Sequence, residues 1–405
     1  VTDVYLYDDD RARGFEPFAL TRPAGELRAG ALLVRERWAQ ALGAPVTGQL
    51  CAPHLAGFEE PGAAPVVELG VIPRGSWIAN ARFAPPLALL PTTDWILSAD
   101  DEVAAVRVAR DVDVRELQDG GLRLAELGLV GGDRVHLRDD AGWWMEEVWD
   151  YVRHLVPMLL HDLPVLGATM KGALPEGAIR VGEHAVYIED GAVVEPAVCF
   201  DVSAGPILLR AGSHVNAFTR LVGPLYVGSG STVTTDRIAA SSIGDTCKVH
   251  GEVSNTIFTG HSNKGHDGFV GHSILGRWVN LGAGTITSNL KNTYGTVQLW
   301  TPEGVRETGQ QFLGTLFGDH AKTGIGLRLT TGSVLGAGAN VFGSVMPPKA
   351  VAPFSWGEAG AFSPYRVDKF LDVAERMMER RHVTLSERAR RQLVAAHAAR
   401  WSADE

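Results

Sequence analysis

Between residues 171 and 360, apolar side chains recur every six positions. Val181, Tyr187, Val193 and Cys199 form one run, and Leu209, Val215, Leu221, Val227, Val233 and Ala239 a second. Phe269, Leu275 and Leu281 form a third, and Phe317, Thr323, Leu329, Leu335 and Val341 a fourth. Six residues match neither the helical period nor the alternation of a simple strand. The spacing predicts a hexapeptide-repeat β-helix, in which three short strands make a triangular coil of about 18 residues and stacked coils bury a continuous core. The period lapses at 205–208, 240–268 and 285–316, where loops leaving the prism are expected to place function. Within the last lapse, Gln298–Thr308 predicts a hairpin around Pro302–Gly304.

The flanking segments follow other periods. Residues 1–170 read as an α/β domain with strands at Val4–Tyr7, Val66–Ile72 and Trp95–Leu97 and a helix over Ala31–Leu42. A second helix is expected over Glu146–Leu160, with Pro157 weakening its last turn. Residues 361–405 predict a C-terminal helical cap for the open end of the β-helix. One of its helices starts near Val367. The other starts at Thr384, with Glu387 completing a capping box.

Composition sharpens this division. Of 47 glycines, 31 fall within 171–360 and none after it, so the middle segment carries the tight turns. Gly182, Gly228, Gly276 and Gly336 are expected at prism corners. All seven lysines lie at or after Lys171, which denies the first domain a catalytic lysine. A net charge of −10 argues against a nucleic-acid binder. Three scattered cysteines give no disulfide or metal framework. No apolar run is long enough to span a bilayer and no signal peptide is evident, so no membrane partner and a cytoplasmic location are expected.

Candidate chemistry concentrates between His261 and Tyr294. His261, His266 and His272 would make a metal site only if their side chains converged, which their spacings of five and six residues disfavour. His261 and His272 also read as surface histidines. A single histidine acting as general base suits transfer to an amine, since imidazole titrates near neutral pH. Gly282-Ala283-Gly284 offers a bare backbone edge for a pantetheine arm.

The stretch GHDGFVGHSILGRWVNLGAGTITSNLKN (265–292) resembles the acetyltransferase domain of bacterial bifunctional glucosamine-1-phosphate N-acetyltransferase/N-acetylglucosamine-1-phosphate uridylyltransferases. Those proteins carry K-x-G/N-H-L-x-Y-x-G-D followed by N-I-G-A-G-T-I-T-C-N-Y. The resemblance implies a left-handed β-helix, a homotrimer, acetyl-coenzyme A as cosubstrate and His266 as the catalytic base. It places Asn280 and Asn289 at the sugar, Ala283 on the acetyl-coenzyme A groove and Ala337, more loosely, in the same role. Lys264 lies one place later than the family's lysine. Phe269 replaces a tyrosine whose hydroxyl contacts the sugar or its phosphate. Leu290 replaces another tyrosine, and Ser254 falls where a phosphate-binding lysine is expected. Arg237 stands near the place of a phosphate-binding arginine. The acceptor can therefore differ from glucosamine 1-phosphate.

The first domain lacks the glycine loop of common sugar nucleotidyltransferases. Its FALTRPAGELRAGALLVRERW segment (18–38) and MEEVWDYVRHLVPMLLHDL segment instead resemble a divergent group of sugar nucleotidyltransferases with the same β-helix behind a shortened first domain. That resemblance implies an α/β nucleotidyltransferase-like domain at 1–170, a left-handed β-helix acyltransferase domain at 171–360 and a helical cap at 361–405. Arg22 and Arg28 are candidate contacts for the phosphates of a nucleoside triphosphate. Asp8, with Asp9 and Asp10 as alternatives, is the candidate Mg²⁺ ligand. The expected function is N-acetyl transfer to an amino-sugar 1-phosphate, with uridylyl or related nucleotidyl transfer by the first domain, in sugar-nucleotide biosynthesis. The alternatives are a nucleotidyltransferase with a structural β-helix and a β-helix scaffold without catalysis.

Overall fold

The computed structural model describes residues 2–90, 96–100, 102–127, 134–136, 142–170 and 174–401. Lys171 and Trp95 lie outside them. The chain divides into two compact units, Val1–Asp150 with Ser386–Ala399, and Tyr151–Leu385 with Arg400–Glu405.

The first unit is built on a six-stranded sheet. Its order is Arg134–His136, Ile96–Ala99, Glu102–Arg107, Trp77–Asn80, Val4–Tyr7 and Val46–Leu50. Glu102–Arg107 runs antiparallel to both neighbours, and the other pairings are parallel. Val4–Tyr7 is buried along its whole length, as an apolar inner strand of such a sheet must be. The expected helix is observed over Val34–Leu42, and Gly43 ends it in the left-handed conformation. Within the predicted strand Val66–Ile72, only Val71–Ile72 is one, with Val66 in an isolated bridge to Gln49.

The second unit is a three-sided parallel β-helix. Its walls are sheets of six, nine and ten strands, and the last strand of the ten, Ser363–Pro364, pairs antiparallel. The core is a column that includes Phe200, Leu209, Val215, Leu221, Val227, Val233, Leu275, Leu281, Phe317, Leu329, Leu335 and Val341. At five positions the inward residue is displaced by one from the hexad register. Ile188, Val194 and Phe200 belong to the core or pack on it in place of Tyr187, Val193 and Cys199. Ile238 and Val270 do so in place of Ala239 and Phe269. Val181 is 44% exposed.

The 240–268 lapse does not leave the prism. Lys248 pairs in register with Thr232 and Asn263, so coils of fifteen or sixteen residues replace the usual eighteen or so. The 285–316 lapse does leave it: Asn280 pairs with Lys322, and Gln298–Thr301 and Gly304–Glu307 form the expected hairpin between them.

Glycine serves two purposes here. Gly212, Gly230, Gly284, Gly326 and Gly338 take positive φ at corners. Gly228, Gly276 and Gly336 do not; a Cβ on Gly336 would lie 2.3 Å from Pro353 N in the next coil, so close stacking excludes a side chain there. Gly182 combines positive φ with such a close approach.

The helical segments differ from expectation in position. The helix near 150 is two pieces, Asp150–Arg153 and Leu155–Gly167. Pro157 falls in the first turn of the longer piece, where its missing N–H costs nothing. In the tail, Val367–Glu379 packs in the β-helix unit, where Phe370 meets Phe354 edge-on. The second tail helix, Glu387–Ala398, is capped by Ser386 rather than Thr384 and belongs to the first unit. The tail is therefore not a single cap on the β-helix.

Candidate functional site

A groove of about 660 Å³ runs along one edge of the β-helix. Successive coils contribute His250, then His266 and Asp267, then Ala283 and Gly284, then Ile325 and Gly326. One end is thus polar, and the other is apolar, with exposed Ile325 beside Ala283 and the two glycines. The edge lies between the strand pair Lys248–His250 and Asn263–Lys264 on one wall and Glu252–Ser254 and Phe269–Gly271 on the next.

His266 is exposed on this edge, and its ring makes no hydrogen bond to a described residue. The ring of His250 is engaged on both sides. Its Nε2 lies 2.8 Å from Asp267 Oδ1, and its Nδ1 lies 2.8 Å from Thr234 O and 2.9 Å from Thr235 Oγ1. Of the two imidazoles in the groove, His266 is the one positioned to take a proton from a ligand.

Lys264 is 2% exposed and lies beneath the edge. Its Nζ donates to His250 O at 2.7 Å and His266 O at 2.6 Å, joining the two histidine-bearing turns. Burial pushes its ammonium down to about 8. Lys264 therefore supports the site from inside and is not placed to bind substrate. Gly251 makes room for it, since a Cβ there would stand 2.7 Å from Lys264 Nζ.

The other expected contacts are dispersed. Asn280 follows Asn263 along the wall of Lys248–His250, its Oδ1 accepting from Asn263 Nδ2 at 2.7 Å. Phe269 and Asn289 lie on the opposite side of the edge, where both approach Gly271. Asn289 Nδ2 lies 2.8 Å from His272 Nδ1, and Asn255 Nδ2 lies 2.8 Å from His272 Nε2. Burial lowers His272 to about 4, so its ring is neutral near pH 7. Arg237 stands in the same wall as Phe269, with Glu252 between them in register and 3.9 Å from its guanidinium. Ala283 lines the groove. Ala337 does not: it is fully buried, one residue before Gly338, whose corner is filled by Phe354 and Phe370. Gly282 serves coil stacking, because a Cβ there would lie 2.5 Å from Gly324 C.

His261, His266 and His272 occupy the three successive corners of one coil, and no group of three His, Cys, Asp or Glu side chains among the described residues could hold a metal. His261 instead packs against Trp278, with ring centroids 4.3 Å apart and tilted by 38°.

The first unit has its own cavity, also about 660 Å³, beyond the C-terminal ends of Val4–Tyr7 and Trp77–Asn80. Such strand ends are where open α/β sheets place ligands. The lining includes Asp9, Asp10, Arg11, Asn80, Arg82 and Glu102. Asp9 caps the turn Asp10–Arg13 and receives Asn80 Nδ2 and Arg82 Nε, each at 2.9 Å. Arg82 also reaches Glu146 at 3.2 Å and Glu102 at 3.4 Å.

The residues expected to serve this site are elsewhere. Asp8 is buried, accepts from Ala24 N at 3.0 Å, and is raised by burial to about 7. It does not fit a Mg²⁺ ligand, and the described carboxylates provide no alternative cluster. Arg22 is 2% exposed and doubly bonded to Glu60, at 2.9 and 3.2 Å. Arg28 is 4% exposed and donates to Ala31 O. Neither arginine lines the cavity. The expectation missed His250 and Asp267 in one groove and Arg82 in the other, and it held Asp9 only as an alternative to Asp8. The only sequence trace of the first pair is that each adjoins a turn glycine, Gly251 and Gly268.

An α/β unit with a cavity at its strand ends, followed by a β-helix with a histidine-lined edge groove, defines a two-part architecture. Residues 4–170 match the sugar nucleotidyl transferase family. The chain is 31% identical over 91 residues to a bifunctional sugar-1-phosphate nucleotidylyltransferase/acetyltransferase of Sulfurisphaera tokodaii, covering 22% of this chain and 23% of that protein. It is 27% identical over 233 residues to the bifunctional protein GlmU of Methanocaldococcus jannaschii, covering 55% and 48% respectively. The GlmU of Buchnera aphidicola matches at 23% over 187 residues, covering 44% and 36%. The matched segments thus span from under a quarter to about half of these relatives. The AntD N-acyltransferase of Bacillus cereus matches 50% of this chain and 92% of its own at 14% identity, with a TM-score of 0.21. So low a score adds nothing to the fold, which its strand pairing defines directly.

Proposed function

We propose that the β-helix transfers an acetyl group from acetyl-coenzyme A to the amine of an amino-sugar phosphate. The observation that carries this reading is the exposed, unpartnered imidazole of His266 facing a groove whose other end is formed by Ala283, Gly284 and Gly326. The bare end suits a pantetheine arm and the polar end the acceptor. His266 takes a proton from the amine, whose nitrogen then attacks the thioester carbonyl. The acceptor's phosphate has fewer polar contacts here than in the resembling family, since Ser254 stands where a lysine is expected and Phe269 where a tyrosine hydroxyl is.

The test is release of the coenzyme A thiol with glucosamine 1-phosphate as acceptor. His266→Ala is expected to lower turnover at least about 100-fold, the usual contribution of a positioned base. Retained turnover in that variant removes the assignment.

For the first unit we propose nucleotidyl transfer to a sugar 1-phosphate, on the family match over 4–170 and the cavity bounded by Arg11, Asn80 and Arg82. Pyrophosphate release from UTP and a sugar 1-phosphate is the expected outcome. No release from any nucleoside triphosphate paired with glucosamine, N-acetylglucosamine or glucose 1-phosphate reduces this cavity to a binding site.

A further inference from the structure

We propose that Asp267, oriented by His250, docks the ammonium group of the acyl acceptor beside His266; this rests on the acetyl-transfer reading above. In the K-x-G/N-H-L-x-Y-x-G-D segment that this chain resembles, the residue after the histidine is leucine. Here it is Asp267, with its carboxyl side chain 90% exposed in the groove. Oδ1 receives the N–H of His250 Nε2 at 2.8 Å. With that proton on Nε2, the other ring nitrogen accepts from Thr235 Oγ1 at 2.9 Å, which fixes the ring. Lys264 ties the backbones of the two turns together, so His250, His266 and Asp267 hold their places as a group. Asp267 Oδ2 has no described partner. A carboxylate oxygen exposed in a groove next to an imidazole is suited to hold a protonated amine.

An amino sugar arrives largely as R–NH₃⁺. Docked on Asp267, it gives one proton to the His266 ring, which passes that proton to water. The freed nitrogen forms the C–N bond with the acetyl carbon. As the C–S bond breaks, His266 takes the second proton from nitrogen and returns it to the thiolate, leaving amide and thiol. Asp267 forms no bond and binds no proton in this sequence. It is a positioning and selectivity residue that compensates for the missing phosphate contacts by gripping the amine.

Calorimetric titration of the full chain with glucosamine 1-phosphate and with glucose 1-phosphate tests this directly. The two probes differ only in the amine. The wild type is expected to prefer the amine about tenfold, as for a hydrogen bond between charged groups. Asp267→Asn is expected to abolish the preference, Asp267→Glu to restore part of it, and His250→Gln to reduce it a few-fold. The preference is also expected to fade as pH rises past the amine's own titration, which a purely structural role would not produce. Equal affinity for the two probes in the wild type, including no affinity for either, overturns the proposal. So does a preference that survives Asp267→Asn. An intact, Asp267-dependent preference without thiol release preserves this site and removes the acetyl-transfer reading instead.

Discussion

A carboxyl taken out of water costs free energy unless it keeps its proton, and Asp8 is fully buried. Burial raises it from 3.8 to about 7, against the lowering effects of Ala24 N–H and Arg13. Because its folded pKa exceeds its unfolded one, the folded state holds the proton more tightly. The stability it contributes is full below about pH 4 and is lost as pH rises through 7. Asp8→Asn keeps an acceptor for Ala24 N–H and removes the titration. The variant is expected to be on the order of 2 kcal/mol more stable than wild type at pH 8, with a flatter profile between pH 4 and 7 in urea unfolding. A destabilised variant, or one with an unchanged profile, contradicts the burial argument. The run Asp8–Asp10 was legible as a candidate site, but the sequence alone could not say which carboxylate faces the cavity. Side-chain direction alternates at the strand end, and Asp8 turns toward Ala24 while Asp9 meets Asn80 and Arg82.

At the scale of the element, the period of six identified the β-helix but not its inward register everywhere. Neighbouring strand residues point to opposite faces, so a run of two apolar residues leaves the choice open. Tyr187–Ile188, Cys199–Phe200, Ile238–Ala239 and Phe269–Val270 are such pairs, and in each it is Ile188, Phe200, Ile238 or Val270 that belongs to the core. This ambiguity bears on function. Phe269 is half-buried on the wall because Val270 fills the core, which leaves its ring beside Asn289 and His272. Corner conformation was also only partly legible. Trp278, His261 and His320 adopt positive φ that composition would assign to glycine. They pack in a row, with His261 tilted against Trp278 at 4.3 Å and Trp278 stacked on His320 at 6.3 Å, so ring packing from coil to coil offsets backbone strain. His266 was recognised from its motif, whereas the His250–Asp267 pair needed the coil register, because residues 17 apart meet only once a coil is known to be shortened.

At the scale of the whole molecule, the two units differ in how the chain completes them. The β-helix is a stack of local repeats, each resting on its neighbours, and such stacks lose stability by the repeat. The first unit instead recruits Ser386–Ala399 from the far end of the sequence. Gln392 Nε2 donates to Thr21 O at 3.4 Å, Ser386 Oγ to Glu59 Oε2 at 2.6 Å, and Arg388 Nη2 to Ala56 O at 3.2 Å. Gly57 permits the approach, as a Cβ there would stand 2.8 Å from Arg388 O. Leu393 and Ala396 are buried on the same helix. Ending the chain after Leu385 therefore removes packing from the amino-terminal unit, although the deletion lies at the carboxyl end. Hydrogen exchange is expected to lose protection in Val4–Tyr7, Val46–Leu50 and the Pro53–Leu55 turn, with the solenoid strands Leu225–Val227 and Ile274–Leu275 unchanged. Losing two buried side chains and these hydrogen bonds is expected to cost on the order of 3 kcal/mol in that unit. Loss of protection confined to the last coils around Ala350–Gly357 would instead mean that the second tail helix caps the solenoid.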